Sequence, residues 1–198
     1  MLAMSLVAAW AWLGVGASQA EAHLVTTGLG PTYDGIVHLL LSPIYLLAIA
    51  GLALLAGLRG TAHARLALFV LPSAWLVGGL VGLVTGAQVP QLVIAAVLLV
   101  LGSLAAADLE LPSWTTGMVA VVVGLPLGVD TSFGAAGSGF GNLAGAIPCV
   151  FVLEAIALAG VLRARGWFGD IPPRVAGSWI AATGLLVAGW ALRGSFIS

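Results

Sequence analysis

The chain has 198 residues, 61% of them hydrophobic and 7% charged, with a formal net charge of −1. A soluble domain carries about 25% charged residues, so this composition cannot cover a water-exposed surface and reads as an integral membrane protein. The near-zero charge argues against nucleic acid or an anionic lipid patch as partner. The single cysteine, Cys149, excludes an intrachain disulfide and a thiolate metal cluster.

Residues 1–22 open on an apolar stretch, Leu2–Val15, followed by GASQAEA. Ala20-Glu21-Ala22 is an A-x-A-like cleavage site, and the apolar core is short for a span, so the reading is a signal peptide cut before His23. No Lys or Arg precedes that core, and an uncleaved extra helix is the alternative.

Residues 23–198 read as one all-α transmembrane domain, a polytopic helix bundle with six predicted spans. They run approximately Ile36–Leu58, Leu66–Thr85, Gln91–Ala107, Trp114–Val129, Leu143–Leu162 and Val175–Leu192. Each is measured against the ~20 apolar residues that cross a bilayer, and the third and fourth are short by that standard.

The six basic residues are all arginine. Arg59 and Arg65 lie between the first and second spans, and Arg163, Arg165 and Arg174 between the fifth and sixth. In a six-span chain both loops share a side, which the positive-inside rule makes cytoplasmic. The chain is then a multi-pass inner (plasma) membrane protein with His23 at an extracytoplasmic mature N-terminus. Arg193 is the exception, at the outer end of the last span. Trp114, Trp167, Trp179 and Trp190 sit near span boundaries, as interfacial aromatics do.

Gly78, Gly82 and Gly86 recur every fourth residue, as do Gly137, Gly141 and Gly145, with Gly124 and Gly128 a further pair. This spacing puts small residues on one helix face and predicts close backbone packing. Pro43, Pro72, Pro126 and Pro148 fall in or near spans and predict kinks. No sequence repeat is visible, so an inverted-repeat transporter is not expected. The glycine-rich stretch 134–145 lacks the Lys-Ser/Thr ending of a phosphate loop and reads as a connection into the fifth span.

Few residues carry chemistry. Asp34 and His38 are four apart, on one face of a helix that starts by Asp34. Together they could share a divalent cation, or the acid could orient the imidazole. Asp34 reads equally as a helix cap, and His38 as an interfacial polar residue. A mature His23 would offer its α-amine and ring nitrogen as a chelate for nickel, copper or zinc. Asp130 ends the fourth span on the same outer side and could approach Asp34 and His38. Glu154 falls mid-span, where an ionisable group is by default a functional hypothesis. It reads as a cation step, a proton carrier, or a carboxyl locking two helices. Asn142 and Thr183 are weaker candidates, and His63 reads as a solvated loop residue. Nothing matches a hydrolase or zinc-protease pattern, so no enzyme activity is expected and no cofactor is required.

The end of the leader at Ala22-His23, a glycine-containing outer segment, Gly35-Ile36-Val37-His38-Leu39-Leu40 and a six-helix body resemble the HupE/UreJ family of hydrogenase and urease accessory membrane proteins. The family's first-helix pattern is a glycine, one residue, an acid, then His-Leu-Leu. Gly35, His38, Leu39 and Leu40 match it, while Val37 stands at the acid and Pro31 at an earlier histidine. Asp34 is the carboxylate one turn back. The family's later histidines are absent, and the segment from Gly124 to Asp130 is a histidine-free counterpart that keeps an acid in Asp130.

The resemblance implies a permease or handling protein for a nickel-like divalent cation, with a membrane or metalloenzyme-maturation partner. The expected metal-facing residues are His23, Asp34, His38 and Asp130 outside, and Glu154 deeper. The rival expectation is a non-transporting subunit that anchors or stabilises a partner protein. A small-solute permease unrelated to metal is a third.

Overall fold

A computed structural model describes residues 27–107, 109–132 and 139–197, with side chains up to 193. The leader and His23 lie outside the described residues. Among those described the structure is all helical: α1 Pro31–Leu41, α2 Pro43–Gly57, α3 Thr61–Thr85, α4 Gln91–Ala107, α5 Ser113–Ser132, α6 Gly139–Phe168 and α7 Ile171–Ile197.

Where one first span was expected there are two helices, α1 and α2, bent by 71°. The cause is local. Pro43 disfavours helical backbone in the residue before it, and Ser42 is extended at φ −92°, ψ 104°. Pro43 then starts α2 at a first-turn position, where its missing N–H costs nothing. Pro72, Pro126 and Pro148 lie inside α3, α5 and α6 without ending them. α3 stops at Gly86, whose left-handed φ of 63° lets its N–H close on the Gly82 carbonyl.

α3, α5, α6 and α7 are each long and apolar enough to cross a membrane, and the bent α1–α2 pair makes a fifth candidate. α4 has 17 residues, below the ~20 of a full span.

α2 is apolar all round and is the buried helix of the bundle. Ala48, Ile49, Leu52, Ala53, Leu55 and Ala56 are at most 2% exposed. α2 packs on every other helix. The most extensive packings are three pairs around it: α3 on α5, α4 on α7 and α1 on α6.

Glycine makes each of these pairs close. A side chain at Gly78 would strike the Leu125 carbonyl, and one at Gly128 the Trp75 carbonyl. Gly102 and Gly177 face each other's helices across α4 and α7, and Gly35 and Gly145 meet backbone across α1 and α6. The expected glycine faces at 78/82, 124/128 and 141/145 are therefore packing seams. Gly86 instead caps a helix, and Gly137 is outside the described residues.

These contacts also fix direction. α3 and α5 run parallel, contacts rising together from Leu71–Gly124 to Gly82–Val129. α4 and α7 run antiparallel, from Ala95–Gly184 to Ala105–Gly177. With α1–α2 counted as one unit, the units alternate up and down. Exchanging the first three units with the last three relates the three largest packings, but the packing of α2 on α4 has no match of similar extent between α5 and α7, so the bundle is not a regular repeat. One apolar cleft of about 620 Å³ lies between α2, α6 and α7, and another of about 380 Å³ between α4 and α5.

Candidate functional site

One end of the bundle carries α1, the break at Ser42, and the C-terminal end of α5. His38 sits in the last turn of α1 and is half-buried. Tyr45, in the first turn of α2, is 4% exposed. Its hydroxyl donates to Asp130 Oδ2 at 2.7 Å. Its ring meets the His38 imidazole edge-on, centroids 5.8 Å apart, and the Trp75 indole at 5.5 Å. The indole N–H donates to Thr131 Oγ1 at 3.1 Å, and that hydroxyl donates to the Gly128 carbonyl at 2.8 Å. Four helices thus close around a polar cluster set just inside the bundle.

The break explains the cluster. It turns α2 inward, so that Tyr45 reaches α5 while its ring stays beside His38 on α1. Asp130 reaches Tyr45 because α5 continues through Pro126 to Ser132.

Asp34 stands apart from this cluster. Its Oδ1 accepts from the Thr27 N–H and the Thr27 hydroxyl, both at 2.6 Å. It ties the incoming chain to the first turn of α1, where a negative charge also suits the helix dipole. It is not the helix cap that the sequence offered as an alternative: the N-cap position is Gly30, with no side-chain cap hydrogen bond. Asp130 and His38 are brought together through Tyr45. Among the described residues, no three His, Cys, Asp or Glu side chains form a group able to hold a metal.

Glu154 lies away from both, midway along α6. The inward stripe of α6 reads Ala146, Val150, Glu154, Leu158, and Glu154 takes an aliphatic position in it. It is 0% exposed, and neither carboxyl oxygen has a hydrogen-bond partner among the described residues. Asn142 Oδ1 is likewise buried and unpartnered.

The opposite end gathers Arg59, Arg65, Arg163, Arg165 and Arg174, as the arginine spacing required. Arg59 donates to the Leu109 carbonyl from Nε at 3.0 Å and Nη2 at 2.7 Å, and to the Leu55 carbonyl from Nη1 at 2.6 Å. Arg174 Nε donates to the Ala106 carbonyl at 3.1 Å. Arg165 pairs with Asp170 at 2.6 Å on the surface. His63 is not the solvated residue expected, because its Nδ1 lies 2.7 Å from the buried Thr116 hydroxyl, tying α3 to α5. A polar cavity of about 390 Å³ lies here, bordered by Arg59, His63, Glu110 and Asp170.

Sequence reasoning passed over Tyr45 and Trp75. The signal was present. Tyr45 is one of two tyrosines in the chain and stands in an aliphatic run. Trp75 lies mid-helix and 0% exposed, unlike the exposed Trp114, Trp167, Trp179 and Trp190. A buried indole N–H needs an acceptor, which marks polar company in the core.

Apolar helices of this length define the class, an α-helical membrane-embedded protein. No family model, no curated protein and no solved structure matches the chain.

Proposed function

We propose that the chain is a permease or handling protein for a divalent transition-metal cation of nickel type. The observation that carries this reading is the broken first span beside the His38–Tyr45–Asp130 cluster. Broken helices at polar clusters mark the substrate sites of many transporter folds.

Imidazole and carboxylate suit a borderline cation. The cation is captured by His38 and Asp130, displacing the Tyr45 hydroxyl from the carboxylate. Asp34 holds the approach segment, and a mature His23 adds its amine and ring there. Glu154 is the deeper acid, reached between the glycine-packed helices. The capture end faces outward and the arginine end faces the cytoplasm. The first-helix likeness to HupE/UreJ at Gly35 and His38–Leu40 is the support for nickel. The six spans of this reading include α4 as a short span.

The second reading is a membrane subunit that anchors a partner without moving a solute. The absence of an assembled three-ligand group among the described residues favours it.

Nickel accumulation by cells separates the two. Accumulation above background that falls in both His38→Ala and Glu154→Gln supports the permease. Unchanged accumulation in both variants removes this route, and a stably co-purifying protein with no bound metal supports the subunit.

A further inference from the structure

The larger apolar cleft, about 620 Å³ between α2, α6 and α7, lies in the arginine half of the bundle. Its α6 wall, Ala157 to Ala164, belongs to the second half of that helix. Its α7 wall begins at Pro172, beside the arginines, and ends at Thr183, near the middle of α7. Apart from the Trp179 indole, Thr183 is the only polar side chain in the wall, and its hydroxyl already donates to the Trp179 carbonyl at 3.0 Å. The cleft is open at Gly160, where an added side chain would meet no atom within 4 Å.

The depth of the cleft decides between occupants. The advance from Pro172 to Thr183 is roughly 16 Å at the rise of an α-helix. That is about half of the ~30 Å hydrocarbon core of a bilayer, or one leaflet. A spanning helix of a second copy would need a seam along the whole bundle. A lipid acyl chain needs only one leaflet of apolar wall.

The mouth of the cleft is charged. A net charge of −1 argues against anionic lipid only where charge is spread evenly, and here five of the six arginines share one end. Around the turn from α6 to α7, Arg163, Arg165 and Arg174 stand against the single acid Asp170. Arg165 is paired with Asp170, and Arg174 donates to the Ala106 carbonyl. Arg163, next to Ala164 in the wall, is exposed and has no hydrogen-bond or ion-pair partner among the described residues. Its guanidinium lies 4.4 Å from the centre of the Trp167 ring, which holds it at the membrane boundary with its N–H groups unused. A guanidinium in this state suits a phosphate, which it can bind through two parallel hydrogen bonds.

We propose that the cleft is a binding site for an anionic phospholipid, with one acyl chain between α2, α6 and α7 and the phosphate on Arg163. The apolar wall recognises the chain, and the excess of arginine at its mouth selects a headgroup with net negative charge. The site is separate from the His38–Tyr45–Asp130 cluster and involves no metal.

The test uses the full-length chain, purified in detergent and incubated with mixed micelles of phosphatidylglycerol and phosphatidylcholine in equal amounts, with identical acyl chains. Lipid retained through size exclusion is counted by native mass spectrometry. The wild type is expected to keep about one phosphatidylglycerol per chain, preferred over phosphatidylcholine by about fivefold or more. Gly160→Leu fills the cleft and should abolish retention. Arg163→Gln changes an exposed side chain, leaves the fold intact, and should lower the preference about fivefold. Arg193→Gln, at the other end of α7, should leave it unchanged. Equal retention of the two lipids by the wild type, or an undiminished preference in Arg163→Gln, overturns the proposal. So does a dimer that Gly160→Leu dissociates, which would give the cleft to a second copy of the chain.

Discussion

Tyr45 donates one hydrogen bond and edges two aromatic rings, so removing its hydroxyl isolates a single effect. Tyr45→Phe keeps the ring contacts to His38 and Trp75 and takes one donor from Asp130. Losing a hydrogen bond to a charged acceptor of this kind costs about 1–3 kcal/mol. The expected outcome is a lower thermal midpoint in detergent, with tighter nickel binding because the carboxylate no longer has to release the phenol. Glu154 carries the opposite expectation. Glu154→Met replaces an unpartnered acid with an apolar side chain of similar length, and such replacements are often neutral or stabilising by about 1–4 kcal/mol. A raised midpoint with lost nickel uptake is expected, whereas a clear fall would mean that the acid had a structural partner. At this scale the sequence was partly legible. A mid-span acid announces itself by cost alone, so Glu154 stood out. Tyr45 did not, because its importance comes from a bend that places its hydroxyl on a helix 85 positions away.

At the scale of helices, glycine decides how near the backbones come. At Gly128 an added methyl would run into the Trp75 backbone carbonyl, which has no rotamer through which to yield. At Gly117 nothing lies within 4 Å. Gly128→Ala is therefore expected to cost about 1–3 kcal/mol by overpacking. Gly117→Ala is expected to be neutral or slightly stabilising through helix propensity. Thermal unfolding of the two purified variants makes the comparison, and equal behaviour would mean that the α3–α5 seam is not close-packed. The glycine spacing made these faces readable in advance, but not their partners. Hydropathy gives the length of a span and says nothing of its neighbour. The first span was misjudged for a related reason. Its apolar run is continuous through Ser42, so composition reads one helix, whereas the restriction that Pro43 places on Ser42 divides it.

For the whole molecule, the units alternate in direction and five of the six arginines collect at one end. The proposed topology puts that end in the cytoplasm. In a Cys149→Ser background, Glu110→Cys is expected to be shielded from a membrane-impermeant maleimide in intact cells. Leu29→Cys is expected to be labelled. The reverse pattern would invert the protein and put the capture end in the cytoplasm. Which helices pair could not be read from the sequence, because glycine spacing marks a close-packing face without naming the helix that fills it.

Nickel uptake by sealed liposomes containing the purified full-length chain tests the central claim most directly. The account predicts uptake above that of empty liposomes. Removing one ligand in His38→Ala or Glu154→Gln should lower that uptake by about 10–100-fold in liposomes loaded with equal protein. Wild-type liposomes that take up no more nickel than empty ones, or variants that match the wild type, would contradict it.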